Sequence, residues 1–302
     1  MKSRDLTYFF SCSYLHFMIY FLLVLYMKKR KLFCEYGKIP YKISVIKENV
    51  KKYIIDLLKH NKIAKEKNKE NLEYLWKGDA KLILRKLHGV DMQLQSNKAK
   101  NLELAGKEID GIIIKPGEIF SFWDLIGKPS KKRGYLEGLT ISSGKFGKNY
   151  GGGLCQMANL VHYLVLHTPL EVVELHHHTD ALFPDFKRKV PFGTGTSVAY
   201  RTIDYRFRNN LDVPIQVRVW QDDTLLYGEI RSTRPLDVKY KLIEEDSYYK
   251  KEDDGIFYRN SKVYRLLLDK KTNKQIEKEL ILINHSKVMY DYSLIPKDQI
   301  RG

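Results

Sequence analysis

The sequence predicts an α+β fold in which a helical N-terminal segment and a central buried helix pack on a mostly antiparallel sheet. Three observations predict it. Apolar residues recur at helical spacing from Ile43 to about Gln95, an apolar helix follows a run of glycines at Leu154 to His167, and most later segments alternate as strands do. Helices followed by a run of strands are the order of an α+β protein.

Composition narrows the functional classes. The chain has 302 residues, of which 43% are hydrophobic, and this is enough for a packed core. A formal net charge of +17 favours an anionic partner, such as a component of a cell envelope. The lysines are scattered rather than gathered into one stripe with aromatic residues, so we expect no nucleic-acid partner. Cys12, Cys34 and Cys155 have no regular spacing, which excludes a disulfide framework and a CxxC zinc site.

The N-terminus carries an apolar run from Tyr8 to Tyr26, followed by the basic letters KKRK. Such a run is just long enough to cross a bilayer. Met27 offers a second start, and residues 1–26 would then be upstream sequence rather than native protein. We expect membrane association through residues 8–26 if the chain begins at Met1, and a cytoplasmic protein if it begins at Met27.

Residues 27–96 are predicted to form the helical N-terminal segment. The stretches ISVIKENVKKYIIDLLKH and LEYLWKGDAKLILRKLHGV both carry apolar residues three and four apart. A further helix is predicted with Ser96 as its N-cap and Gly111 as its stop. The run IIIKPGEIFSFW then predicts two short strands joined at Lys115-Pro116-Gly117.

The part of the chain after the central helix is predicted to be mostly β-structure. LEVVELHHHTD has the β-branched content of a strand, and three or four alternating strands follow. The last strands are expected to break at Asp253-Asp254-Gly255 and at residues 269–273. These boundaries give a core domain over 97–235 and a β-rich C-terminal extension over 236–302.

A cysteine follows three glycines at the start of the central helix. Unpaired N–H groups and the helix dipole at such a start favour a thiolate and lower the pKa of a thiol. Gly151, Gly152 and Gly153 remove side chains that would block a substrate, and the N–H groups up to Gln156 would form an oxyanion hole. The alternative is structural, with the glycines forming a turn and Cys155 buried in the core.

A thiol nucleophile requires a base, and two of the nearby histidines are excluded by distance. His162 lies seven residues beyond Cys155 on the same helix, which is about 10 Å at the standard rise. His167 lies farther along that helix. Neither ring can reach the thiol directly, so the base is expected in the run HHH of the next strand.

Side-chain alternation along that strand selects among the three histidines. Glu174, His176 and His178 share one face, whereas His177 points to the other and is expected to pack at the rim. We expect His178, or else His176, to be the base, and Asp204 on a following strand to orient it. A nucleophile at a helix start, a histidine and then an aspartate is the order of transglutaminase-like and papain-like thiol enzymes.

Two other hypotheses stay open. Glu174, His176 and His178 would suit a metal ion, with Cys155 as a fourth ligand. The glycine turn and the histidines would alternatively line the groove of a non-catalytic module that binds envelope peptides or an anionic surface. The thiol hypothesis requires no cofactor.

The motifs resemble those of the VanW family, named for an accessory protein of vancomycin-resistance gene clusters. The matching stretches, in order, are KPGEIFSFWDLIG, RGYLEG, GGGLCQ, HTPLEVVELHHH, FPD, PFGTGTSVAY and IDYRFRNN. The family's Gly-Gly-Gly-x-Cys-Gln pattern falls on residues 151–156. Its Glu-Arg-His-x-His-Ser pattern falls on residues 174–179, with Leu175 where an arginine is usual.

The resemblance implies a link to glycopeptide resistance and to the cell envelope, and it implies no established reaction. Together with the thiol constellation, it leads to the hypothesis of thiol-dependent acyl transfer or amide hydrolysis on peptidoglycan or its precursors. A peptidoglycan precursor, or another anionic envelope component, is then the expected partner.

Overall fold

The computed structural model describes residues 31–84, 92–142, 145–177, 180–182, 184 and 190–302. The chain divides into two compact units, residues 1–54 and 55–302. The helices are α1 (Lys38–Leu58), α2 (Met92–Ile109), α3 (Phe122–Ile126) and α4 (Cys155–Val165). Within the described ranges, no helix combines the length and the hydropathy that crossing a bilayer requires.

Fourteen strands are present in the described part of the chain, and most of them pair antiparallel. They are β1 (Tyr74–Leu82), β2 (Ile112–Ile114), β3 (Ile119–Ser121), β4 (Glu137–Ser142), β5 (Lys145–Tyr150), β6 (Glu171–Glu174), β7 (Asp180–Ala181), β8 (Arg206–Arg208), β9 (Ile215–Gln221), β10 (Leu225–Ser232), β11 (Val238–Lys251), β12 (Phe257–Asp269), β13 (Gln275–Val288) and β14 (Ile300–Arg301). The sheet orders are β1-β10-β9-β2, β3-β8-β6, β4-β5 and β14-β11-β12-β13-β7. Helices beside mostly antiparallel sheets confirm the predicted α+β class.

Helix α4 packs on the first sheet and forms the centre of the main core. Leu160 and Leu164 lie over Gly228 of β10, where an added Cβ would be 2.9 Å from Leu164. The apolar side chains of α4 are almost fully buried, and each buried leucine contributes about 1.5–3 kcal/mol. The predicted central buried helix is therefore confirmed, and the sheet fixes the position of its first turn.

One stretch predicted to be helical contains a strand. Strand β1 runs antiparallel to β10, from the pair Tyr74–Ser232 to the pair Leu82–Leu225. Gly78 disfavours a helix at this point, and pairing with β10 supplies contacts that the local pattern does not reveal. Residues 85–91 of the predicted helix lie outside the described residues.

Helix α2 begins earlier than predicted and ends where predicted. Ser96 is not the N-cap, because it lies inside the helix and its hydroxyl is 3.3 Å from the Met92 carbonyl, to which it donates. The helix ends at Ile109, and Gly111 follows with a φ of +80°. A side chain at Gly111 would overlap the Asn68 carbonyl, so the position requires glycine.

The strand predictions around three turns are confirmed. Strands β2 and β3 lie on either side of Lys115-Pro116-Gly117, although β2 joins the first sheet and β3 joins the second. In the C-terminal extension, turns at residues 253–255 and 269–273 separate β11, β12 and β13.

Candidate functional site

The candidate site is built around the start of helix α4. Cys155 is the first residue of the helix, and the turn over residues 151–154 leads into it. Gly151 and Gly153 have φ values of +76° and +93°, which residues with a side chain rarely adopt. The glycines therefore make the tight turn that sets where the helix begins.

Protein atoms fill the space beside these glycines. A Cβ at Gly151 would lie 2.5 Å from Cβ of Pro129, and one at Gly152 would overlap the backbone of Gly138. At Gly153 the aliphatic part of a lysine side chain occupies the corresponding space. The glycines thus allow close packing of the turn, and the space they leave is not open to a substrate.

Cys155 is half-buried, and its thiol lies against a loop that precedes β8. Its Sγ is 3.6 Å from the Val198 carbonyl oxygen, within range of a hydrogen bond that the thiol donates. Burial raises the pKa of the Cys155 thiol, whereas backbone groups of Val198 and of Cys155 itself have a smaller, lowering effect. This direction is opposite to the one expected from the helix start, because desolvation outweighs the terminal N–H groups. The resting thiol is therefore protonated at neutral pH.

Two backbone N–H groups remain available at the helix start. The N–H groups of Leu154 and Gln156 donate to carbonyls of the turn at 3.4 and 3.1 Å. Neither the N–H of Gly153 nor that of Cys155 donates to a backbone carbonyl of the described residues, and the Cys155 N–H faces its own thiol. The side-chain amide of Gln156 donates to the Leu82 carbonyl at 2.8 Å. An oxyanion hole at this turn would therefore consist of the N–H groups of Gly153 and Cys155.

The loop over residues 193–204 joins the helix start to the histidine segment through its backbone. The Thr196 N–H donates to Oδ1 of Asn159, one turn along α4, at 2.6 Å. The next N–H, of Ser197, donates to the carbonyl of His176 at 2.8 Å. The loop thus lies between the helix that carries the candidate nucleophile and the segment that carries the candidate base.

The histidine segment is not a continuous strand as predicted, because β6 ends at Glu174. His176 is exposed, and its Nε2 is 3.4 Å from Oε1 of Glu174. His177 is half-buried, and its Nδ1 donates to the Gly193 carbonyl at 2.9 Å. His178 lies outside the described residues, so its role as the base stays a prediction.

Asp204 is buried, and its carboxylate accepts from donors of two neighbouring elements. The Ser121 hydroxyl donates at 2.6 Å, and the N–H groups of Trp123 and Tyr205 donate at 3.1 and 2.9 Å. The Asp204 N–H donates to Oε1 of Glu174 at 3.1 Å. The structure therefore brings Asp204 beside Glu174, and both carboxylates are held in place by hydrogen bonds.

The two histidines excluded by distance are used in packing. Burial lowers the pKa of His162 to about 3 and the pKa of His167 to about 4, so both rings are neutral. Nδ1 of His162 is 3.1 Å from the Tyr205 hydroxyl, and Nδ1 of His167 donates to the Tyr163 carbonyl at 2.8 Å.

The metal hypothesis stays a prediction. Across the described part of the chain, no three His, Cys, Asp or Glu side chains are grouped so that they could hold a metal ion. The predicted set of Glu174, His176 and His178 includes a residue outside that part.

Comparison with known proteins decides the family. A family profile described as VanW like protein matches residues 97–231. The chain is 36% identical over 202 residues to the vancomycin B-type resistance protein VanW of Enterococcus faecalis, and the match covers 67% of this chain and 73% of that protein. The chain belongs to the VanW family.

A second relative is more distant, and no solved structure matches the chain. The uncharacterized protein YoaR of Bacillus subtilis is 31% identical over 125 residues, which is 41% of this chain and 40% of YoaR. The family assignment therefore comes without a fold assignment, and a transglutaminase-like or papain-like core stays a prediction.

Sequence reasoning missed two residues of this VanW site. Asn159 lies four residues after Cys155, a spacing that places two side chains on the same helix face, so a signal for it was present. Ser121 gave no such signal, because its partner Asp204 is 83 positions away in the sequence.

Proposed function

We propose that this VanW-family protein catalyses thiol-dependent acyl transfer or amide hydrolysis on peptides of peptidoglycan or its precursors. Its Enterococcus faecalis relative is named as a vancomycin B-type resistance protein, and the shared family links this chain to that resistance. We take a peptide of this polymer as the substrate class, in line with the cell-envelope link that the family resemblance implies.

One observation carries the proposal: loop 193–204 lies between Cys155 at the start of α4 and the segment of His176. The loop contacts Cys155 through Val198 and His176 through Ser197, with distances of 3.6 and 2.8 Å. Acyl transfer requires a nucleophile and a base that come within hydrogen-bond reach of each other, and a loop in contact with both segments keeps them in the same region of the fold.

The proposed reaction has two steps. A base removes the thiol proton while Sγ of Cys155 attacks an amide carbonyl, and the N–H groups of Gly153 and Cys155 bind the developing oxyanion. The C–N bond breaks, the leaving amine takes the proton from the base, and a thioester forms. An amine or a water molecule then attacks the thioester, releasing the acyl product and restoring the thiol.

Because the pKa of the Cys155 thiol is raised, the proposed mechanism requires a base. Since Cys155 is protonated at rest, the proton must leave as the substrate reacts, and a nearby imidazole is the group suited to this. We assign the role to His178, with His176 as the alternative. Asp204, which three donors hold in place, is the proposed orienting group.

The experiment is intact-protein mass spectrometry after incubation with a synthetic peptidoglycan stem pentapeptide, with and without an added amine acceptor. We expect an acyl adduct on Cys155 and a released amine, with the adduct consumed when the acceptor is added. Cys155→Ser should show neither product with an unchanged circular dichroism spectrum, and Cys34→Ser serves as the matched control. Undiminished turnover in Cys155→Ser would overturn the mechanism.

A second candidate is a non-catalytic module that binds cell-wall peptides, and a structural rather than catalytic role of the glycine turn and of Cys155 favours it. Gly151 and Gly152 pack against protein atoms, and the resting Cys155 thiol donates to a backbone carbonyl, as structural groups do. If this candidate holds, Cys155→Ser keeps full binding of peptidoglycan fragments. That binding would weaken as salt screens the net charge of +17.

A further inference from the structure

Helix α1 carries a continuous apolar stripe on its surface. The stripe residues follow one another at alternating intervals of four and three positions, which keeps them on one face of a helix. They are Ile39, Ile43, Ile46, Val50, Tyr53 and Leu57. Ile54, next to Tyr53, widens the same face.

The stripe is exposed along its whole length. The exposed fractions run from 50% at Ile43 to 73% at Ile39, and none of the helix residues is buried. A helix with a narrow apolar face gains most of its stability from covering that face. An exposed stripe of this length therefore indicates a surface that binds something apolar.

Lysines border the stripe on both sides. At about 100° per residue, Lys42 and Lys47 lie next to its two edges, and Glu48 lies on the opposite side of the helix. The helix contains five lysines and two acidic residues. Long lysine side chains at such edges can lie along the apolar surface and extend their charge toward an anionic layer.

This charge pattern favours a lipid surface over a parallel pair of two copies of the chain. In a parallel two-helix coil built on the stripe, Lys42 of one copy would face Lys47 of the other, because residues just before and just after the apolar positions meet across the interface. Like charges at that place disfavour self-association. The same two lysines match the phosphate groups of an anionic bilayer.

We propose that helix α1 binds along the surface of an anionic lipid bilayer, with its stripe in the outer acyl region and Lys42 and Lys47 at the headgroup phosphates. This site shares no residue with the one around Cys155, so neither proposal depends on the other. It also shares no residue with the apolar run at residues 8–26, which lies outside the described residues.

The experiment places an environment-sensitive nitrobenzoxadiazole probe on the helix in the full chain. The background replaces Cys12, Cys34 and Cys155 with Ser, and the probe is attached at Ile46→Cys on the stripe or at Glu48→Cys on the opposite face as the matched control. Vesicles of equal parts phosphatidylglycerol and phosphatidylcholine are compared with phosphatidylcholine alone. Because the probe reports only its own surroundings, binding through residues 8–26 does not by itself move the signal.

We expect a blue shift and a several-fold rise in emission at position 46 with the anionic vesicles and no comparable change at position 48. Lys42→Gln with Lys47→Gln should weaken this partition roughly thirtyfold. An unchanged signal at position 46, equal changes at both positions, or equal partition into neutral vesicles would each overturn the proposal. A blue shift without vesicles that grows with protein concentration would overturn it in favour of a second copy.

Discussion

Gly138 of strand β4 and Gly152 of the turn before α4 meet backbone to backbone, so neither position has room for a side chain. A Cβ at Gly138 would lie 2.5 Å from the Gly152 carbonyl oxygen. The side-chain amide of Asn101 donates to that same oxygen and to the Leu136 carbonyl, at 3.0 Å each. Hairpin β4–β5 and helix α2 are thereby tied to the turn that positions the candidate nucleophile.

This contact predicts that Gly152→Ala destabilises the protein by about 2–3 kcal/mol, because the new methyl group would overlap the backbone of Gly138 and the chain must shift. Urea unfolding measures the loss. Gly255→Ala is the control, since Gly255 has a φ of +76° but open space, and only backbone strain of about 1–2 kcal/mol applies there. A smaller effect at Gly152 than at Gly255 would contradict the close approach.

The raised pKa of the Cys155 thiol predicts slow alkylation at neutral pH. In Cys12→Ser with Cys34→Ser, the rate of iodoacetamide labelling against pH should give an apparent pKa above the ordinary value of about 8.5. The same protein unfolded in urea should return the ordinary value. An apparent pKa below it in the folded protein would mean a preformed thiolate, and the protonated resting state assigned to Cys155 would be wrong.

The buried hydrogen bond between Ser121 and Asp204 predicts that substitutions of the two residues have coupled effects on the free energy of unfolding. Asp204→Asn puts an amide NH2 among donors and should cost about 1–3 kcal/mol, since at least one donor loses its acceptor. Ser121→Ala removes one of those donors. A double-mutant cycle by urea unfolding should therefore give a non-additive result of about 1 kcal/mol or more. Strictly additive losses would show that the hydroxyl and the carboxylate do not depend on each other.

The parts of this fold that the sequence predicts are those determined by local patterns. Helix α4 is apolar almost all round, and the turns at residues 253–255 and 269–273 contain the aspartate, glycine and asparagine residues that turns require. The prediction of a helix at strand β1 is wrong because the partner strand β10 lies about 150 positions later in the chain. Pairing with β10 stabilises the strand over the helix at residues 74–82. The local spacing of apolar residues does not show this pairing.

The candidate site likewise has features that the sequence predicts and features that it does not. The start of α4 at Cys155 follows from its glycines and apolar run, and so it could be predicted. The direction of the thiol pKa could not, because it depends on how deeply the folded chain buries the thiol. The place of Asp204 in the chain makes it a candidate, but its hydrogen bonds come from Ser121 and Trp123, which lie on other elements. Local residue order identifies candidates, whereas burial and distant partners set their chemistry.

The buried ring of His162 predicts a loss of stability in mild acid. Its pKa is about 3 in the folded protein and about 6.5 when unfolded, so below pH 6.5 the unfolded chain takes up a proton that the folded chain does not. The stability that this neutral ring supports is complete above pH 6.5 and falls by about 1.4 kcal/mol per pH unit as the pH drops toward 3.

Between pH 6.5 and 5 the free energy of unfolding should therefore fall by about 2 kcal/mol through His162 alone. His162→Gln keeps a polar group near the Tyr205 hydroxyl but cannot titrate, so its stability should fall less steeply over this range. Urea unfolding at pH 8, 7, 6 and 5 tests this, and the difference between wild type and variant should be constant from pH 8 to 7, where the ring is neutral in both states. If that difference also stays constant down to pH 5, then His162 is not the group that carries the acid sensitivity.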